Sequence, residues 1–215
     1  MRKVVARDRA FADTDPHHRT PRQRSASMIV AAILGLALLA AMLIASTHEA
    51  SSSPLTPSSY SIWPNSVVPR VPADSDTNRV EVGTRFRVSQ AGYITHLRFY
   101  KSSQNSGPQV GKLWSSSGKL LARATFPTSS GAGWRTVALA TPVPVPAGSE
   151  YVVSYLAPAG RYADDVDVFA NGAAVKSHAL TAYRGVYSYG GGFPTQTWRN
   201  SNYYVDVVFA TNETS

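Results

Sequence analysis

The sequence predicts an all-β fold, a two-sheet antiparallel β-sandwich of jelly-roll type, preceded by a single N-terminal transmembrane helix. Three observations carry this. From about Ile62 onward, short runs of alternating apolar and polar residues are separated by Gly, Pro, Ser and Asn clusters, the period and punctuation of strands and tight turns. Only 16% of the 215 residues are charged, too few for a helical bundle or coiled coil. Met28 to Ala45 is an apolar run without charge or proline, about 27 Å long as a helix, which matches a bilayer core.

The N-terminal third divides by composition. Residues 1–27 hold Arg2, Lys3, Arg7, Arg9, Arg19, Arg22 and Arg24, and no further Lys or Arg follows until Arg70. This asymmetry places a basic, disordered tail (1–27) in the cytoplasm, a signal-anchor helix at 28–46, and the remainder outside the cell, in a single-pass protein of the cell membrane. The membrane partner is the segment 28–45. The competing reading is a cleaved signal peptide and a secreted product. The long leading region and the lack of a clean small-x-small site weigh against it. Residues 47–61, rich in Ser, Thr and Pro, form a stalk. The net charge of +8 is concentrated in the tail, so nucleic acid is not an expected partner.

Residues 62–212 form the exported domain, and its elements follow in order. Val80 to Val88 places Val80, Val82, Phe86 and Val88 on one face, with Glu81, Arg85 and Arg87 on the other, a half-buried strand. Tyr93 to Lys101 repeats the pattern, with Tyr93, Leu97 and Phe99 inward and His96 and Arg98 outward. Val110–Trp114 and Leu120–Phe126 flank Ser115-Ser116-Ser117-Gly118, a hairpin whose Gly suits a positive φ. Thr136–Leu139 continues into Pro142, Pro144 and Pro146 at period two. Those prolines delete every N–H donor along one side and leave Val143 and Val145 to pair on the other, as on an edge strand. Tyr151–Leu156 is a strand, Val166–Phe169 a weak one, and Tyr203–Phe209 closes the domain, with Tyr203, Val205, Val207 and Phe209 on one face opposite Tyr204, Asp206 and Val208. About eight to ten strands fit two antiparallel sheets.

Several of these stretches resemble a known family. Leu97-Arg98-Phe99-Tyr100-Lys101 is followed by Gly111-Lys112-Leu113-Trp114-Ser115 and Gly118-Lys119-Leu120-Leu121-Ala122. Gly133-Trp134, Pro146-Ala147-Gly148, Tyr151-Val152-Val153-Ser154-Tyr155 and the ending Asn202–Phe209 complete the set. Together they resemble the secreted, actinobacterial "domain of unknown function 4082" over roughly residues 60–210. The family often has Tyr-Trp where this chain has Tyr203-Tyr204. The resemblance implies an extracellular β-sandwich of a kind found beside immunoglobulin-like and glycan-active domains. It supplies no activity and no catalytic residue.

The chemistry-bearing residues are few. Cysteine is absent, which excludes disulfides, thiolate metal sites and a thiol nucleophile. No Gly-x-Ser-x-Gly elbow or phosphate-cradling loop occurs, and no catalytic residue or cofactor is assigned. Glu81, Glu150 and Asp206 are carboxylates that any sandwich of this size carries. Asp164, Asp165 and Asp167 form the densest acidic patch of the domain and have the oxygen donors for a structural Ca²⁺; the competing reading is a solvated loop. Tyr183 to Asn202 holds Tyr183, Tyr187, Tyr189, Phe193, Trp198 and Arg199 in a glycine-rich, non-alternating segment. Exposed, these residues are a ligand groove for sugar rings, whose C–H faces stack on aromatics. Buried, they are a long loop folded over the end of the sandwich. The expected function is therefore a membrane-anchored, cell-surface binding module for an extracellular or cell-wall polysaccharide. The alternative is an assembly module that contacts another envelope protein, with no glycan binding and no catalysis.

Overall fold

The computed structural model describes residues 58–211. The basic tail, the apolar run, and the stalk up to residue 57 lie outside the described residues. Among the described residues no helix is long and apolar enough to cross a membrane. The domain is all-β, with two antiparallel sheets facing each other. Its strands are β1 (Ser59–Tyr60), β2 (Val80–Val88), β3 (Gly92–Lys101), β4 (Val110–Ser115) and β5 (Leu120–Thr125), then β6 (Gly133–Val145), β7 (Glu150–Ala157), β8 (Val175–Ser177), β9 (Leu180–Ser188) and β10 (Val205–Ala210). The four-stranded sheet runs β1-β10-β3-β6 and the six-stranded sheet β5-β4-β7-β2-β9-β8.

Alternation fills the core as expected except at the start of β3, where a bulge between Ile94 and His96 turns Ile94 inward in place of Tyr93. Val82 and Phe86 from β2, Leu97 and Phe99 from β3, and Val207 and Phe209 from β10 are fully buried. The Phe99 ring stacks on Tyr155 at 4.1 Å between centroids and meets Phe126 edge-on at 4.6 Å, geometries that favour aromatic pairs beyond their buried area. The hairpin of β4 and β5 turns at Gly118, whose φ is +90°. β6 is the edge of its sheet and pairs only with β3, setting Val145 against Gly92 and Val143 against Ile94. The alternate prolines thus close that edge to a further strand. At the other edge the sandwich takes up Ser59 and Tyr60, placed in the stalk by composition, because they pair with Ala210 and Phe209.

The outward faces depart from expectation. Glu81, Arg98 and Asp206 point away from the inter-sheet core, yet all three are buried. Over the four-stranded sheet lies the segment before β2. The backbone N–H groups of Ile62 and Trp63 donate to Asp206 at 3.0 and 3.2 Å. Arg98 donates to Asp206 at 3.3 Å and to Asn65 at 2.7 Å, and its guanidinium covers the Trp134 ring at 4.6 Å. Over the six-stranded sheet, Glu81 accepts hydrogen bonds from Lys112 and Ser154, each at 2.6 Å, and Ser154 accepts from Trp114 Nε1 at 2.8 Å. Buried charge survives because each carboxylate is paired and multiply bonded. Val166–Phe169, expected as a weak strand, is a turn. Asp167 has φ +65°, and the N–H groups of Asp167 and Phe169 donate to loop carbonyls of Arg199 and Asn200, not to a neighbouring strand.

Candidate functional site

Tyr183 and Tyr187 lie on β9, not in a loop. The register explains the lost alternation. Arg85 faces Arg184 while the next residue, Phe86, faces Ala182, so Tyr183 is an extra residue on β9, a β-bulge. Before the bulge Leu180 and Ala182 face the core; after it Val186 joins the outer cluster with Trp114 and Val152, and Tyr187 turns inward. One inserted residue exchanges the two faces of a strand. Tyr187 is then fastened to Gln196 by two backbone hydrogen bonds at 2.8 and 3.0 Å. These close a loop that carries Tyr189, the three glycines and Phe193.

The shifted phase brings Tyr187 and Tyr189 to the end of the six-stranded sheet, where β7 and β9 leave it and β2 enters. A cavity of about 280 Å³ opens there. Tyr187, Tyr189, Tyr162 and Tyr203 line it as a run of edge-to-face rings, with centroids 5.6 Å apart for Tyr187–Tyr189, 6.5 Å for Tyr187–Tyr203 and 5.6 Å for Tyr162–Tyr203. Trp198 completes the aromatic wall. Trp198 is 58% exposed and Tyr189 50%, so both offer ring surface at the mouth. Facing them are three carboxylates, Asp74, Asp76 and Asp164.

Two glycines let the walls approach this closely. A Cβ on Gly185 would stand 2.0 Å from the carbonyl oxygen of Ser201, and one on Gly160 would stand 2.2 Å from that of Asp76. Gly160 also has φ +59°, a backbone that glycine adopts without penalty. Backbone bonds then lace the non-strand segments together. Asp74 donates to Tyr162, Asp164 to Val71, and Asp165 and Asn202 bond reciprocally.

The three carboxylates differ in surroundings. Burial pushes Asp76 up, but hydrogen bonds from Asn78, Tyr189 and Tyr162 outweigh it and hold the group below the usual range. Its partner Tyr189 is pushed up to about 12, first by donating that hydrogen bond and then by burial. Asp164 is 8% exposed, and its Oδ1 has no hydrogen-bond partner among the described residues. Burial raises it to about 6; the neighbouring Ser201 hydroxyl and the Arg199 charge oppose the rise, and the charges of Asp74 and Asp165 add to it. A folded-state value above the ordinary 3.8 means that the native protein holds the proton more tightly. Stability therefore falls as pH rises from about 4 through about 6. Asp164→Asn is expected to match wild type near pH 4 and to exceed it at pH 8 by about 1 kcal/mol, a value reduced from the full linkage by solvent screening at the cavity. Urea unfolding at the two pH values measures it; equal midpoints at pH 8 would contradict it.

The acidic patch of the sequence is divided by the fold. Asp164 lines the cavity. Asp165 is buried and accepts from the N–H groups of Arg70 and Val71 and from the Tyr204 hydroxyl, so it staples loops. Asp167 sits in the turn and pairs with Arg199 at 3.4 Å. The three do not converge, because Asp165 and Asp167 spend their oxygens on separate partners. Among the described residues no group of three His, Cys, Asp or Glu is placed to hold a metal ion. The aromatic set is divided as well. Tyr183 donates to Glu150 at 2.9 Å under the Arg87 guanidinium. Phe193 packs on Trp114 at 5.7 Å beside Arg85. Neither of these nor Arg199 lines the cavity. Tyr187, Tyr189 and Trp198 do, joined by Asp74, Asp76, Tyr162 and Tyr203, which sequence reasoning missed. Pro-Ala-Asp-Ser-Asp-Thr-Asn at 72–78 carried a signal for two of these, since alternate Asp residues commonly bond the backbone two positions on. Asp74 and Asp76 both do so.

The family model described as a domain of unknown function, DUF4082, matches residues 66–205. The chain belongs to the DUF4082 family. The match takes in every residue that lines the cavity, so the candidate site is built from the DUF4082 domain itself. No curated protein matches the sequence.

Proposed function

We propose that this DUF4082 protein is a membrane-anchored, cell-surface module that binds an extracellular or cell-wall polysaccharide in the cavity at the end of its six-stranded sheet. The observation that carries the reading is the mouth of that cavity, where the exposed faces of Trp198 and Tyr189 stand beside hydrogen-bonding carboxylates. A sugar needs both, an aromatic face for its C–H surface and polar groups for its hydroxyls. The volume suits one or two rings, with the rest of the chain running over the open rim. The uncharged run 28–45, with the N-terminal basic residues all ahead of it, supports an anchor with the sandwich outside.

We read the sandwich as a jelly roll. With the β8–β9 hairpin set aside, the order β1-β10-β3-β6 against β2-β7-β4-β5 supports two interleaved Greek keys.

Retention of the full-length chain on insoluble polysaccharides tests the binding reading. Trp198→Ala and Tyr189→Ala should each weaken retention about tenfold or more, the scale of a lost aromatic anchor, while Phe193→Ala should leave it unchanged. No retention on any glycan, with one reproducible envelope-protein crosslink in cells, would replace it with the assembly reading.

A further inference from the structure

The cavity is more acidic than sugar hydroxyls require. Asp74, Asp76 and Asp164 line it, and no Lys or Arg does. No basic side chain among the described residues makes an ion pair with any of the three. The nearby guanidinium groups are engaged elsewhere, Arg161 on the carbonyl of Asp74 and Arg199 on Asp167. Asp76 is satisfied by four donors. Asp164 is not. It is more than nine-tenths buried, it lines the cavity, and Oδ1 lacks a partner. In the adjoining segment the Asn202 side-chain nitrogen is buried without a partner too, and the Ser201 hydroxyl stands near Asp164 but offsets only part of the cost of its burial. Leaving such groups unmet costs roughly 1–3 kcal/mol each, and more for a charge. A neutral hydroxyl would supply a donor but no counter-charge. An ammonium group supplies three donors and a counter-charge, and the surrounding tyrosine faces attract it as well. A uronic acid or phosphate would be repelled.

We infer that the bound sugar carries a free ammonium group, that is, an unacetylated amino sugar whose nitrogen sits at Asp164 and Asp74 while its ring lies toward Trp198 and Tyr189. This inference rests on the polysaccharide reading above.

Three β-1,4-linked hexasaccharides that differ only at carbon 2 separate the two. Glucosamine, N-acetylglucosamine and glucose hexamers are titrated calorimetrically into the full-length chain at pH 6.5, at low and high salt. The glucosamine hexamer should bind about tenfold more tightly than the other two at low salt, with the preference shrinking as salt rises. Asp164→Asn should bring the three within about threefold of one another, and Trp198→Ala should weaken all three. Asp164→Asn keeps the fold by the stability argument above, so its loss of preference reads charge and not unfolding. Equal binding of the three hexamers, still weakened by Trp198→Ala, would overturn the ammonium inference and leave the polysaccharide reading standing. No binding of any hexamer would overturn both. Spermidine binding as tightly as the glucosamine hexamer and indifferent to Trp198→Ala would also overturn the inference, since the charge would then be read without the sugar.

Discussion

Asp206→Ala is expected to lower the unfolding free energy by about 3–5 kcal/mol, the range for breaking a fully buried ion pair from one side. The carboxylate accepts from the N–H groups of Ile62, Trp63 and Val207 and from Arg98. Its removal leaves Arg98, itself 5% exposed, as a buried cation without a counter-charge, and it frees the segment that covers the outer face of the four-stranded sheet. Typical domains have only about 5–15 kcal/mol to lose, so the midpoint of urea unfolding should move far toward zero denaturant. Arg98→Met in the same chain should recover a large part of the loss, because it removes the stranded charge. A single-variant loss below about 1 kcal/mol would show that the pair is solvated and that the covering segment is not held by it.

Gly185→Ala should be nearly as damaging, by about 3 kcal/mol, the upper end for overpacking. The new methyl would stand 2.0 Å from the Ser201 carbonyl and 3.1 Å from the Tyr203 ring. Backbone cannot yield as a flexible side chain does, so Ser201 to Tyr203 must shift. Tyr203 lines the cavity and Asn202 bonds Asp165, so the cavity wall moves with them. The variant should therefore unfold at lower temperature and, on the proposed polysaccharide reading, also lose glycan retention while still folded. The comparison substitution is Gly190→Ala, where a Cβ would meet nothing within 4 Å, and it should change neither property.

Much of this architecture can be read from the residues. Alternation is a local property. It sends Val82, Phe86, Leu97, Phe99, Val207 and Phe209 inward, and all are fully buried. The proline-valine register marked an edge strand by chemistry alone, because a residue without an N–H cannot serve a ladder on that side. The family, too, was legible in the run from Leu97 to Ala122, inside the residues matched. The errors have a common origin. Alternation assigns Glu81, Arg98 and Asp206 to the outer faces, and period two does not say what lies over each face. The coverings come from Trp63, about 35 residues before Arg98, and from Trp114 and Phe193, distant in sequence from Glu81. β9 lacks a strand's period in the sequence because its bulge at Tyr183 reverses the alternation midway, and a bulge is defined by the partner strand.

The amino-acid order alone therefore settles the all-β class, the hairpin at Gly118, the closed edge at β6 and the family, since each depends on residues within a few positions of one another or on a motif. The site is a different matter. Tyr187 and Tyr189, Asp74 and Asp76, Asp164, and Trp198 come from four stretches of chain that meet only where β2 enters and β7 and β9 leave. Sequence flagged Tyr187, Tyr189 and Trp198 as aromatic and Asp164 as acidic, but it grouped the first with Tyr183 and Phe193 and the second with Asp165 and Asp167. The fold regroups them because a strand sends neighbouring residues to opposite faces and because a buried carboxylate takes whichever donors the packing brings. Tertiary structure gave Asp165 its partners and left Asp164 Oδ1 without one, and that difference between adjacent, chemically identical residues is what makes one a staple and the other part of the cavity wall.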